Sequence, residues 1–113
     1  MLLLNEDAVV LCKHRAPVAI HVDQTLVTIA GKPVLVDPYP VGRGISRCPN
    51  TLLIGVKPCQ RVLAVKDGYS NLLFIKGQRV CLDTLKGPTD GTPPGGAEYL
   101  VKSAGQEFVF QNP

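Results

Sequence analysis

The chain has 113 residues, 45% of them hydrophobic and 19% charged, which makes one globular domain and excludes a disordered segment. A net charge of +3, with three Tyr, three Phe and no Trp, argues against a nucleic-acid binder or a base-stacking platform. Eleven Gly and ten Pro, about one residue in five, exclude long helices, and no apolar run approaches the roughly 18 residues of a membrane span.

Met1–Leu4 is apolar but lacks a basic leader and runs at once into Asn5-Glu6-Asp7. The expectation is synthesis in the cytoplasm without a signal peptide. Residues 8–12 read as a first strand. Pro17 opens a second, over 18–22, where Val18, Ile20 and Val22 alternate with Ala19, His21 and Asp23. Residues 26–37 and 72–83 match at an offset of 46: Leu26/Leu72, Ile29/Ile75, Gly31/Gly77, Val34/Val80 and Asp37/Asp83. Each is two apolar runs joined by a tight Gly-bearing turn, Ala30-Gly31 or Lys76-Gly77, the mark of a β-hairpin. Pro33 has no backbone donor, so its strand lies at an edge or is bulged there. The spacing predicts a duplicated unit, about 8–48 and 57–84, with pseudo-twofold symmetry. Between the copies, 37–50 is a long connection dense in turn formers. Residues 51–56 and 61–66 read as short strands, 87–96 as an irregular surface loop, and 98–110 as a C-terminal hairpin. The whole, 1–113, reads as one all-β domain.

Four cysteines are a high density for a chain without an export signal. Two disulfides are therefore disfavoured against a metal. Cys12 and His14, two apart on a strand, would share one face. With Cys48 and Cys59 they make one His and three Cys, the donor set of a closed tetrahedral zinc site. Alternatively, Cys12 and Cys59 are small buried apolar residues. Cys81 lies opposite Leu35 in the repeat and is assigned to the core, and His21 to the surface. Lys13, Arg15, Arg47, Lys57 and Arg61 lie within two residues of the candidate ligands. They could offset the excess negative charge of three thiolates on Zn²⁺. Such a site would be structural. Catalysis is not expected: Cys12 and His14 would point in parallel without an orienting third group, and no phosphate-cradling loop precedes a helix.

The ordered pieces Leu11-Cys-Lys-His14, Ile29-Ala-Gly-Lys-Pro-Val34, Ser46-Arg-Cys-Pro49, Lys57-Pro-Cys59 and Phe74-Ile-Lys-Gly-Gln-Arg-Val80 resemble the PAAR-like spike-tip proteins of contractile injection systems, over roughly residues 8–84. The chain resembles a Cys-rich variant. It lacks the literal Pro-Ala-Ala-Arg motif, and Arg15-Ala16 stand where two Gly commonly follow the Cys-x-His. The resemblance implies a small cone of short β-hairpins whose apex is held by structural zinc on Cys12, His14, Cys48 and Cys59. It implies a base seated on a trimeric β-helical (VgrG-like) spike, one tip per three spike chains. The hairpin edges and the Phe108/Phe110 segment are candidates for that base. The tip would be assembled on the spike or baseplate of an injection particle or phage tail, and driven through the target cell envelope on contraction. The alternative is a stand-alone zinc-binding β interaction module.

Overall fold

A computed structural model describes residues 1–49, 58–91 and 97–111. The protein is all-β. Six strands form: β1 (Val9–Cys12), β2 (Thr28–Ile29), β3 (Lys32–Pro33), β4 (Asp67–Ile75), β5 (Gln78–Pro88) and β6 (Glu98–Ser103). They make an antiparallel sheet of order β1-β6-β5-β4 and a separate β2-β3 pair. The molecule measures 45 × 23 × 21 Å, about twice as long as it is wide.

The two matching segments turn alike. Ala30 and Gly31 have φ of 55° and 79°, and Lys76 and Gly77 have 52° and 78°. Positive φ at both central residues is the hairpin turn that matches strand twist. Their lengths differ, because Pro33 cannot donate and β3 ends with it, whereas β5 runs eleven residues. The correspondence extends to buried polar caps. Gln24 Oε1 accepts from the Val27 amide at 3.0 Å, and Ser70 Oγ, at the same offset of 46, accepts from the Leu73 amide at 2.9 Å.

The segments meet at Leu35 and Cys81, themselves offset by 46: the Cys81 amide donates to the Leu35 carbonyl at 2.9 Å. On one side they pair directly, Asp37 N to Arg79 O at 2.8 Å. On the other the N-terminal residues wedge between them. Leu4 donates to the Cys81 carbonyl at 3.0 Å and accepts from the Leu35 amide at 2.9 Å. Ile29 and Ile75, Val34 and Val80, and Val36 and Leu82, three pairs at that offset, close around Leu3 of the wedge as one of two cores.

The larger core sits inside a ring of short hydrogen-bonded segments. Beyond the turn after β1, Val18 N donates back to Val10 O at 2.8 Å. Residues 17–19 pair with 44–46, these with 60–62, and these with 88–90. Thr89 N donates to Ala97 O at 3.0 Å, and β6 returns to β1 through the Tyr99–Cys12 pair. Six antiparallel segments thus close without a free edge, the arrangement that removes exposed pairing groups. Val10, Val18, Val62, Leu85 and Tyr99 fill the interior.

Three expected elements differ. Residues 18–22 make no strand: Val18 bridges Ile45, but beyond Ala19 the backbone leaves the ring, while Ile20 and Val22 still pack on the core. Residues 61–66 contribute only a bridge at Arg61 and one at Val62. The C-terminal hairpin does not form. Gln106 Oε1 accepts from the Phe108 and Val109 amides at 2.7 and 2.8 Å, folding 106–109 into a turn, and β6 pairs with β1 and β5 instead. Part of the loop expected over 87–96 is strand, since β5 continues to Pro88. The strand expected over 51–56 lies outside the described residues.

Candidate metal centre

The ring explains why residues far apart in sequence converge. Its antiparallel segments bring four described stretches to one end: residues 12–15, 47–48, 59 and 89–91. The first three carry all four candidate ligands, and Thr89 and Gly91 of the fourth back them. Cys12 ends β1. His14 follows in a turn closed by the Arg15 amide on the Cys12 carbonyl at 2.9 Å, with Arg15 at φ 66°. The shared-strand-face expectation for Cys12 and His14 is therefore corrected: His14 is beyond the strand, and the turn brings its ring back over Cys12. Cys48 follows Arg47, at φ 58°. Cys59 precedes the segment that pairs with 44–46.

The four donor atoms of Cys12, His14, Cys48 and Cys59 all lie within 4.8 Å of one another. Cys12 Sγ is 3.9 Å from Cys48 Sγ, and His14 Nδ1 is 3.6 Å from the sulfurs of both Cys48 and Cys59. Ordinary zinc–sulfur and zinc–nitrogen bonds in a tetrahedron imply edges of about 3.8 Å between sulfurs and about 3.6 Å between sulfur and nitrogen. The three cysteines are buried, His14 is half-buried, and all four cysteines of the chain are free thiols. This cluster could hold a metal ion.

Hydrogen bonds orient the sulfurs. The Ala16 amide donates to Cys12 Sγ at 3.4 Å. The Thr89 hydroxyl lies 3.3 Å from Cys59 Sγ and also touches the Ala97 carbonyl. Donors of this kind fix ligand orientation and tune a metal. Gly91 completes the wall: a Cβ there would sit 2.6 Å from Cys59 Sγ and 3.0 Å from Cys59 N. Thr89 and Gly91 carried no signal in the sequence, because only ring closure brings residues 89–91 against Cys59. Burial pushes the Cys59 thiol up to about 12, and the Cys12 and Cys48 sulfurs add to the rise while Thr89 opposes it. A bound cation reverses this balance, since a coordinating thiol is deprotonated outright.

Lys13, Arg15, Arg47 and Arg61 are all exposed around the cluster; Lys57 lies outside the described residues. Cys81 is apart from the cluster and fully buried, its thiol near the Tyr39 carbonyl at 3.6 Å. His21 is exposed and pairs with Asp23 at 3.1 Å. No family model matches the chain, and neither a curated protein nor a solved structure matches it.

Proposed function

We propose that this chain is a rigid spike tip whose apex is closed by one structural zinc ion and whose other end caps a trimeric β-helical spike of a contractile injection system. The observation that carries the reading is the Cys12, His14, Cys48 and Cys59 cluster at tetrahedral spacing. Three thiolates and an imidazole suit zinc, and four protein ligands leave no open position for chemistry, so the role is structural rather than catalytic. The metal would tie the end of β1 and the turn after it to Cys48 and Cys59 as a single unit. Its excess negative charge would be offset by the exposed cations beside it.

Two further observations support the reading. The molecule is elongated. Its matching segments and its C-terminal turn also leave apolar side chains in water: Leu26 and Leu72 are 67% and 70% exposed, and Phe108 and Phe110 are 76% and 62% exposed. Apolar surface of this kind marks an interaction site, and a spike end is the partner proposed for it. Assembly would follow synthesis in the cytoplasm, with the tip carried outward through a target envelope on firing.

Elemental analysis of the purified native chain is the first test, with thiols counted after denaturation in chelator. One zinc and four free thiols per chain are expected. No metal and few free thiols would replace this reading with a disulfide-bonded protein. The second test mixes the zinc-loaded chain with a trimeric spike protein and measures the mass of the complex. One chain per three spike chains is expected, lost on Leu72→Asp with metal content unchanged. Zinc without any trimeric partner would leave the stand-alone metal-binding module.

A further inference from the structure

Beside the end that carries Cys12 and His14, the outer face of β1 and β6 carries a cleft of about 420 Å³, lined by Leu11, Leu100, Lys13, Arg15 and Lys102 among others. Its composition follows from strand alternation. Residues 98, 100 and 102 of β6 face outward while Tyr99 is buried, and Leu11 of β1 is the cross-strand partner of Leu100. Two apolar side chains thus form a floor, and Leu100 is 57% exposed to water.

Cations surround this floor. Lys13 and Arg15 come from the turn after β1, and Lys102 from the end of β6. Lys86, the β5 partner of Leu100, adds a fourth. None of the four forms an ion pair among the described residues. The acid lining the cleft, Glu98, is engaged by Lys66 at 2.7 Å, a pairing that holds its carboxyl below the usual carboxylate range. The cleft therefore offers an apolar floor with a positive rim whose one acid is already paired. Its volume falls within the range of small-molecule sites, about 300–1,000 Å³.

We propose that this cleft binds an anionic amphiphile, an alkyl chain ending in a phosphate or carboxylate head, with the chain on Leu11 and Leu100 and the head among Lys13, Arg15 and Lys102. Neither group alone explains the site. A bare anion would leave the leucines wet, and an apolar chain alone would leave Lys102 and Lys86 facing only water, whatever charge Lys13 and Arg15 lend to the cluster. The site does not depend on the proposed partner of the hairpin end.

The test is calorimetric titration of the metal-loaded full chain with dodecyl phosphate below its micelle concentration. Saturable 1:1 binding is expected, at least tenfold tighter than for inorganic phosphate or a non-ionic dodecyl maltoside. Lys102→Glu and Leu100→Asn should each weaken it at least tenfold. Both side chains are exposed, so fold and metal content should be retained, and Lys32→Glu, on β3 of the separate β2-β3 pair, should change nothing. Vesicles of phosphatidylglycerol or phosphatidylcholine separate the sources of the ligand. Competition between the soluble chain and anionic vesicles points to a membrane lipid, and soluble binding alone to a free amphiphile. The proposal is overturned by absent 1:1 binding, by equal affinity for the non-ionic chain, or by unchanged affinity in both cleft variants. Binding to vesicles without soluble binding would overturn it too, since diffuse charge would then suffice.

Discussion

At the scale of single residues, four cysteines of one chemical type have two fates. Cys12, Cys48 and Cys59 face one another and His14, while Cys81 sits among apolar neighbours on the line where the matching hairpins meet. Cys48→Ser and Cys59→Ser should each drop the metal well below one per chain and lower the melting temperature by about 10 °C or more, because a structural metal contributes folding energy directly. Cys81→Ala should keep the full metal content and cost only about 1–2 kcal/mol, the range for a small core truncation. Elemental analysis and thermal melts of the same samples separate the two outcomes. Full metal in both serine variants would remove Cys48 and Cys59 from the ligand set. The candidate ligands were legible in the sequence as residue types. Their supports were not, since Thr89 and Gly91 touch Cys59 across 30 or more residues of chain.

At the scale of elements, the hairpin turns were the most legible feature, because a turn's backbone is dictated by the residues within it. Ala30 and Lys76 hold positive φ that side chains adopt at a cost of about 1–2 kcal/mol, and Asn tolerates that conformation better. Ala30→Asn should therefore stabilise the protein by about 0.5–1 kcal/mol, seen as a melting temperature higher by about 2–6 °C. Gly91→Ala should act in the opposite sense. The added methyl group meets both the sulfur and the backbone of Cys59, so metal affinity should fall at least tenfold, measured by competition with a chromogenic chelator. An unchanged affinity would show that Gly91 does not hold Cys59 in place. The C-terminal hairpin was misread for an equally local reason. The apolar run Phe108-Val109-Phe110 after the Gly105 turn is compatible with a strand, but the Gln106 side chain captures two backbone amides and bends the segment.

At the scale of the whole molecule, the larger core is tied to the backbone around it by two buried tyrosines and a half-buried one. Tyr39, Tyr69 and Tyr99 each donate a hydroxyl to a backbone carbonyl, of Ala19, Tyr39 and Ala64 respectively, at 2.8–3.0 Å. Burial is the main cause that raises all three hydroxyls, and the Cys81 thiol, above their ordinary values of 10.0 and 9.0. In the folded state these groups keep their protons after the unfolded chain has lost them. Their stabilising contribution is thus complete below about pH 9 and is lost as pH rises beyond it through the folded values. Urea midpoints of the metal-loaded chain should be level from about pH 7 to 9 and fall steadily above, and Tyr69→Phe should make the fall shallower. A level profile to about pH 11 would contradict the burial of these groups.

The sequence by itself determined the all-β class, the paired turns at an offset of 46 and the residue types able to bind metal, because these depend on local backbone preference and donor chemistry. Only the tertiary structure decided the rest. Hydrogen-bonded closure of six segments, several of them only single bridges, brings Cys12, His14, Cys48 and Cys59 to one end and so assembles the donor set. The wedge of Leu2–Glu6 between the hairpins and the charged apolar cleft on β1 and β6 arise in the same way. Each needs pairings between residues dozens of positions apart, which no local pattern encodes.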